Sequence, residues 1–283
     1  TSLMEELKAS GRLSQKELSL VVTSFDLLGD VAILEIPKEL VGRQKIIARA
    51  LLSVHHNVKS VVKKASAMQG EYRVRKLAHL AGRKKTETIY RESKCQLLFD
   101  PAKVYFSVRL SHERERIAGL VKKNEKILAL FAGVGPFPIV IAKNNLEKNL
   151  SISAIELNPI AVDYLRKNIE LNRVQKFVQA IEGDANKVLA NKKFFKCADR
   201  IMMPLPKSAN EFLPAAIRCA KKGGVIHYYC FASLREKDVF SPAINLIKQE
   251  CKKQKRGCRI LFKRIVRPYA PYVSQIVVDF KVL

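Results

Sequence analysis

In the stretch ALFAGVGPF, residues 129–137, two glycines stand between an apolar run and a segment that opens a helix. KILALFA has the character of a buried strand, and PFPIVIAKN that of a helix starting just past the loop. A loop so placed offers backbone N–H groups at a helix N-terminus to an anionic or polar ligand. It is not a phosphate-cradling P-loop, because no Lys-Ser or Lys-Thr follows the glycines. The dinucleotide fingerprint needs a third glycine where Pro136-Phe137-Pro138 stand. A GxG pair is also a common tight turn, so the loop alone names no ligand.

Two acids narrow the choice. Glu156 closes the strand-like AIEL, 21 residues after Gly135, where a carboxylate accepts both hydroxyls of a ribose. Asp184, in EGDA, is expected at the end of a third strand and suits an adenine amino group. A glycine loop with two such acids and no phosphate machinery fits a nucleoside cofactor without phosphate. S-adenosylmethionine is one, with its methionine end over the glycines.

The elements that must hold these residues fall into two textures. After a polar, helical first 18 residues, LSLVVTSFDLLGDVAILEIP reads as strand, turn at Gly29-Asp30, strand. RQKIIARALLSVH has helical spacing. VKSVVKKA, EYRVRKL, TETIYRES and CQLLFD read as short strands, so residues 1–100 are expected to form an α+β module with a mostly antiparallel sheet. From about residue 113 strand and helix alternate, the pattern of a doubly wound parallel sheet, so residues 101–283 are expected to form the second domain. In this half NPIAVDYLRKNIELNRV and SANEFLPAAIRCAKKGG read as helices. CRILFKRIVRPYAPYVSQIVVDFKVL reads as two closing strands. The fold class expected is α/β.

Lys and Arg number 52 against 26 acids, a net charge of +26. Before His112 there are 20 basic and 11 acidic residues, and after it 32 and 15, so both halves carry the excess. A basic excess spread over folded segments points to a polyanion such as nucleic acid, although a high lysine content can also be a solvated surface. With 48% hydrophobic and 28% charged residues the chain is expected to be folded and well cored. Its longest apolar run is broken by glycines and prolines, so no membrane span is expected. The N-terminus lacks an apolar h-region, so no signal peptide is expected and a cytoplasmic protein is. Cys95, Cys197, Cys219, Cys230, Cys251 and Cys258 lack CxxC spacing, so reduced thiols and no metal are expected.

The run FAGVGPF … AIELNP.AV.YL..NI.LN … GDA … ADRIMM.LP.SA.EFL … GGVIHYY closely resembles the archaeal and eukaryotic family of tRNA (guanine-N1)-methyltransferases. GEYRVRKLAHLAG and FDPAKVYFSVRLSHERERI upstream, and RPYAPYVSQIVVDFKV downstream, extend the resemblance over most of the chain. It implies a class I, Rossmann-like methyltransferase domain after a small substrate-recognition domain, with S-adenosylmethionine as cofactor. The implied substrate is tRNA, at position 37 of the anticodon stem-loop, and a monomer is favoured. Many members carry a further N-terminal module for the tRNA elbow, which is expected to be absent or truncated here.

The resemblance also assigns roles. Methylating guanine N1 needs a base for its proton, a donor to the charge growing on O6, and an in-line methyl donor. Glu113 matches the general base, Arg73 the arginine that stabilises O6, and Tyr105 and Arg109 residues near donor and target. The cofactor set is Arg114, Phe131, Ala132, Gly133, Val134, Gly135, Pro136, Glu156, Leu157, Asn158, Asp184, Ala185, Pro204 and Leu205. Read without the resemblance, Glu113 is a first-turn helix acid complementing the macrodipole, with Glu115 pointing elsewhere. Arg73 and Arg75 read as surface cations or phosphate contacts, and His79 and His112 as structural or substrate-proximal.

Two departures stand out. The family commonly has Asp where this chain has Ala129, so cofactor binding is expected to be weaker and Ala129→Asp to tighten it. It commonly has Asn where this chain has Pro204, which removes a side-chain donor. Two alternatives therefore stay open. One is a wyosine-pathway relative that methylates, or transfers an aminocarboxypropyl group to, the tricyclic base at the same position. The other is a tRNA-binding protein with a decayed site.

Overall fold

The computed structural model describes residues 2–66, 70, 72 and 74–283. The chain forms two compact units, Thr1–Glu92 with Gln96–Val108, and Ser93–Cys95 with Arg109–Leu283. The domain boundary expected at residue 100 falls a few residues before this division, and the change of texture expected at about residue 113 a few residues after it.

The first unit begins with α1 (Leu3–Ser10) and α2 (Gln15–Leu20), each opened by a capping box, Ser2 with Glu5 and Ser14 with Glu17. Leu3, Leu7, Leu13 and Leu18 are buried, so these polar-looking helices dock by leucines. The second box overrides the strand expected over LSLVV, because the helix it starts runs through Leu20. Next come β1 (Asp26–Leu28), β2 (Val31–Leu34), α3 (Gln44–Val54), β3 (Ser60–Lys64) and β4 (Leu77–Gly82), with strand order β1-β2-β3-β4. β1/β2 and β3/β4 are antiparallel. β2/β3 is parallel, since α3 crosses over between them. Ile47, Ala48 and Leu51 of α3 pack on Leu34 and Val61. The hairpin β5 (Thr88–Glu92) and β6 (Cys95–Phe99) turns through Ser93 and Lys94, both at positive φ.

The second unit runs α4 (Ser111–Leu120), β7 (Lys126–Leu130), α5 (Pro136–Lys143), β8 (Ser151–Glu156), α6 (Pro159–Leu171), β9 (Val178–Glu182) and α7 (Ala185–Leu189). It continues with β10 (Ala198–Met203), α8 (Ala209–Cys219), β11 (Ala220–Ser233), α9 (Ser241–Lys253), β12 (Cys258–Ala270) and β13 (Val273–Val282). The sheet order is β12-β13-β11-β10-β7-β8-β9. β9, β8, β7, β10 and β11 are parallel, β13 runs antiparallel to them, and β12 at the edge pairs antiparallel with β13 and so points the same way as the first five. The strand order reverses between β7 and β10, and a ligand crevice opens beyond strand ends at such a switch point.

α8 ends sooner than its composition suggests. Lys221–Gly224 joins β11 instead, through an irregularity in its pairing with β10. Gly223 takes φ +84, and a Cβ on Gly224 would lie 2.7 Å from the Ala198 carbonyl oxygen. Only glycines allow that approach, which marks a bulge rather than a helix end. One face of the sheet buries Leu130, Ile155, Ile201, Met203, Ile226 and Phe280 against Leu213 and Ile217 of α8 and Ile247 of α9.

Candidate active site

The glycine loop leaves β7 at Leu130 with three residues at positive φ, Phe131 at 55°, Gly133 at 55° and Gly135 at 97°. A Cβ on Gly135 would lie 2.6 Å from Leu165 Cδ1 and 2.7 Å from Ile139 Cδ1, which is why this position is glycine. The loop is tied to its neighbours at several points. Ala132 N donates to the Ile155 carbonyl of β8 at 2.9 Å, and Asn168 Nδ2 of α6 donates to the Val134 carbonyl at 2.9 Å. Phe131 packs edge-on against Phe212 of α8 with centroids 4.7 Å apart. Pro136 then opens α5, where its missing N–H costs nothing.

Glu156 closes β8 and braces this loop. Its Oε2 accepts from Gly133 N at 2.7 Å and its Oε1 from Asn158 N at 2.8 Å. Burial pushes the carboxyl above the usual range, opposed by the backbone N–H groups of Asn158, Gly133 and Leu157. A carboxylate has about four lone-pair sites, so each oxygen retains acceptor capacity for a vicinal diol. Asn158 caps α6 through its Oδ1, accepting from Ile160 N at 3.0 Å, with Pro159 at the first helical position.

Asp184 follows β9 as expected and also caps α7, its Oδ1 accepting from Lys187 N at 2.9 Å, with buried Ala185 starting that helix. Pro204 and Leu205 follow β10, both half-buried. Glu156 thus stands at the end of β8, and Gly133, Asp184 and Pro204 just beyond the ends of β7, β9 and β10. These residues suit a phosphate-free nucleoside: positive-φ glycines, a carboxylate with acceptor capacity to spare and no lysine in the loop.

The other expected residues are placed as follows. Arg73 lies outside the described residues. Tyr105 belongs to the first unit, and Arg109, in the short turn before α4, to the second. Arg114 is 1% exposed. Glu115 lies on the exposed side of α4 and accepts from Ser93 Oγ at 2.7 Å, so it points away from Glu113.

Glu113 is also 1% exposed, and its carboxylate is enclosed by donors. Arg116 reaches Oε2 with Nη2 at 2.9 Å and Nε at 3.1 Å, and Oε1 with Nε at 3.3 Å. Tyr229 donates its hydroxyl to Oε2 at 2.7 Å, and Arg264 Nη2 donates to Oε1. Arg116 Nη1 also donates to Asp279 Oδ2 at 2.6 Å. Asp279 Oδ1 lies 2.7 Å from Nδ1 of buried His227, whose Nε2 lies 2.8 Å from Arg200 Nη1. A guanidinium only donates, so Nε2 accepts and the imidazole proton sits on Nδ1, facing Asp279. Arg200 completes the chain with a two-pronged pair to Glu125 at 2.8 and 2.9 Å. Burial would raise the Asp279 carboxyl, but His227 and Arg116 outweigh it and hold it below the usual range.

Sequence reasoning missed Arg116, Tyr229, Arg264, Asp279 and His227. Arg116 was within reach of it, since i+3 spacing from Glu113 sets the two on one helix face. Asp279 in IVVDF and His227 in GVIHYY are polar residues inside apolar strands, which need buried partners. Nothing local announces Arg264.

Seven strands with a reversal beside the glycine loop, a buried carboxylate at the end of the second strand and an antiparallel seventh strand define a class I methyltransferase. The chain belongs to the TRM5/TYW2 methyltransferase family: residues 88–261 match the TRM5/TYW2 methyltransferase domain, and residues 4–86 match the TYW2 N-terminal domain. It is 45% identical over 260 residues to the tRNA (guanine(37)-N(1))-methyltransferase Trm5b of Pyrococcus abyssi, covering 92% of this chain and 75% of that one. The crystal structure of that Trm5b superposes with a TM-score of 0.84, covering 95% of this chain and 78% of the other. It is 37% identical to the tRNA 4-demethylwyosine(37)-methyltransferase Taw21 of Saccharolobus solfataricus, over 91% of this chain and 93% of that one. The structure of Pyrococcus horikoshii TYW2 in complex with MeSAdo is similar at 27% identity, with a TM-score of 0.83 and 99% coverage of each chain.

Proposed function

We propose that this chain is a tRNA (guanine(37)-N1)-methyltransferase that uses S-adenosylmethionine. The observation that carries the reading is Glu156, a desolvated carboxylate held between the glycine loop and the start of α6, in a chain 45% identical to a guanine-37 enzyme. Glu156, Asp184 and the loop from Phe131 to Pro136 would hold the cofactor, with Leu157, Asn158, Ala185, Pro204, Leu205 and Arg114 around them. When bound, it supplies an electrophilic methyl group on a sulfonium leaving group. Glu113 takes the proton from guanine N1, Arg73 donates to the charge growing on O6, and Tyr105 and Arg109 orient the target base. The partner is tRNA at its anticodon stem-loop, drawn by the basic surface of a chain with net charge +26. The chain works as a monomer in the cytoplasm.

A second reading has support of its own. Pro204 replaces a common asparagine, and the 4-demethylwyosine enzyme Taw21 matches this chain almost end to end. One experiment separates the readings: incubate the purified protein with methyl-labelled S-adenosylmethionine and a tRNA transcript carrying guanosine at position 37. Label recovered as 1-methylguanosine, and lost in Glu113→Gln, supports the guanine reading. Label that appears only on tRNA carrying 4-demethylwyosine supports the second. Intact tRNA binding with no label on either tRNA rejects both methyl-transfer readings and leaves aminocarboxypropyl transfer, visible with carboxyl-labelled S-adenosylmethionine, or a binding protein.

A further inference from the structure

The donors around Glu113 pose a problem for a general base. Arg116, Tyr229 and Arg264 together fill the acceptor sites of its two oxygens, and the carboxylate is 1% exposed. No lone pair remains to receive a proton from a substrate. One donor must leave before the residue can act.

The three donors differ in their freedom to leave. Arg116 is held from the other side by Asp279 at 2.6 and 3.4 Å, lies 4.7 Å from the Phe262 ring centroid, and has a side chain only 17% exposed. Tyr229 is fully buried in the central sheet, its ring 6.1 Å from that of Phe137. Arg264 differs from both. It comes from β12, the edge strand, and its side chain is 42% exposed.

The surroundings of Arg264 say what would draw it off. From Cys251 to Val278 the chain has no Asp or Glu, and it carries Lys252, Lys253, Lys255, Arg256, Arg259, Lys263, Arg264 and Arg267. Along β12 itself Arg259, Lys263 and Arg264 are exposed, so the edge presents a line of cations to solvent. An RNA phosphate on this edge makes charge-assisted, two-pronged hydrogen bonds with a guanidinium, as a carboxylate does.

We propose that Arg264 is a positioning residue that clasps Glu113 in the free protein, and that a phosphate of the bound tRNA takes it over and frees the carboxylate. The proposal rests on Glu113 being the base. Arg264 then couples docking to chemistry: the carboxylate is released where a polyanion is present.

The test compares Arg264→Met, Arg264→Lys and Glu113→Gln by steady-state methyl transfer to the tRNA transcript, and by tRNA binding across a range of salt. Arg264→Met is expected to raise KM for tRNA about tenfold, with a much smaller change in kcat. The slope of log affinity against log salt should fall by about one, the signature of one lost phosphate contact. Arg264→Lys, which keeps the charge, is expected to recover most of that slope. If Arg264→Met instead lowers kcat about as far as Glu113→Gln while KM and salt slope stay put, the clasp persists through chemistry and the proposal is wrong. Unchanged KM and slope with unchanged kcat would equally reject it. Full activity in Glu113→Gln would reject the base itself, a separate and recognisable failure.

Discussion

Gly135 is the residue whose replacement should be felt most sharply for its size. Alanine there meets the ends of Leu165 and Ile139, both fully buried, and must hold φ +97. Such overpacking and strain cost about 1–3 kcal/mol each. Gly135→Ala is expected to lower the denaturant midpoint and to weaken S-adenosylmethionine binding by calorimetry. Ala129 is subtler. It is 1% exposed within β7, paired with Ala154 and Met202, so an aspartate placed there starts desolvated. An unpartnered buried polar group costs about 1–3 kcal/mol. Ala129→Asp should therefore melt lower without cofactor and gain more from S-adenosylmethionine than the parent chain. An equal cofactor-induced gain in the two would place Ala129 away from the methionine end.

Among elements, α4, β11 and β13 are joined by charge as well as by apolar packing. Burial holds the His227 imidazole below its ordinary value, with Arg200 and Arg116 acting the same way against Asp279. A histidine depressed in the folded state is protonated more readily once unfolded. Stability is therefore lost as pH falls below about 6.5, the ordinary histidine value, until the folded imidazole protonates as well. Asp279 adds a loss at lower pH, since its stabilisation is present above about 3.9 and disappears as pH falls through its depressed folded value. Urea melts should show lower stability at pH 5.5 than at 7.5, with a smaller difference in His227→Gln. Asp279→Ala, which leaves Arg116 without one buried partner, should cost about 3–5 kcal/mol at neutral pH. These elements also show what the sequence concealed. The strand-helix alternation made β7 to β11 legible, while the bulge at Gly223-Gly224 and the capping box at Ser14 moved two element ends. Both shifts came from local chemistry that hydrophobic periodicity does not register.

At the scale of the whole molecule, charge is the dominant fact. A net +26 on 283 residues should make tRNA affinity fall steeply with ionic strength, about tenfold or more between 50 and 200 mM salt if several phosphates are contacted. Filter binding across that range checks it, and a flat response would remove the basic surface from recognition. Among the described residues no helix is long and apolar enough to cross a membrane. The sequence by itself determined the class: the glycine loop, Glu156 and Asp184 at successive strand ends, and the alternation that sets them beside one switch point are all local in the chain. It could not show the surroundings of Glu113. Arg264 lies 151 residues from Glu113, and Asp279 lies 163 residues from Arg116. Only the antiparallel return of β12 and β13 brings them to α4, because side chains far apart in sequence meet where strand pairing, not spacing, decides their neighbours.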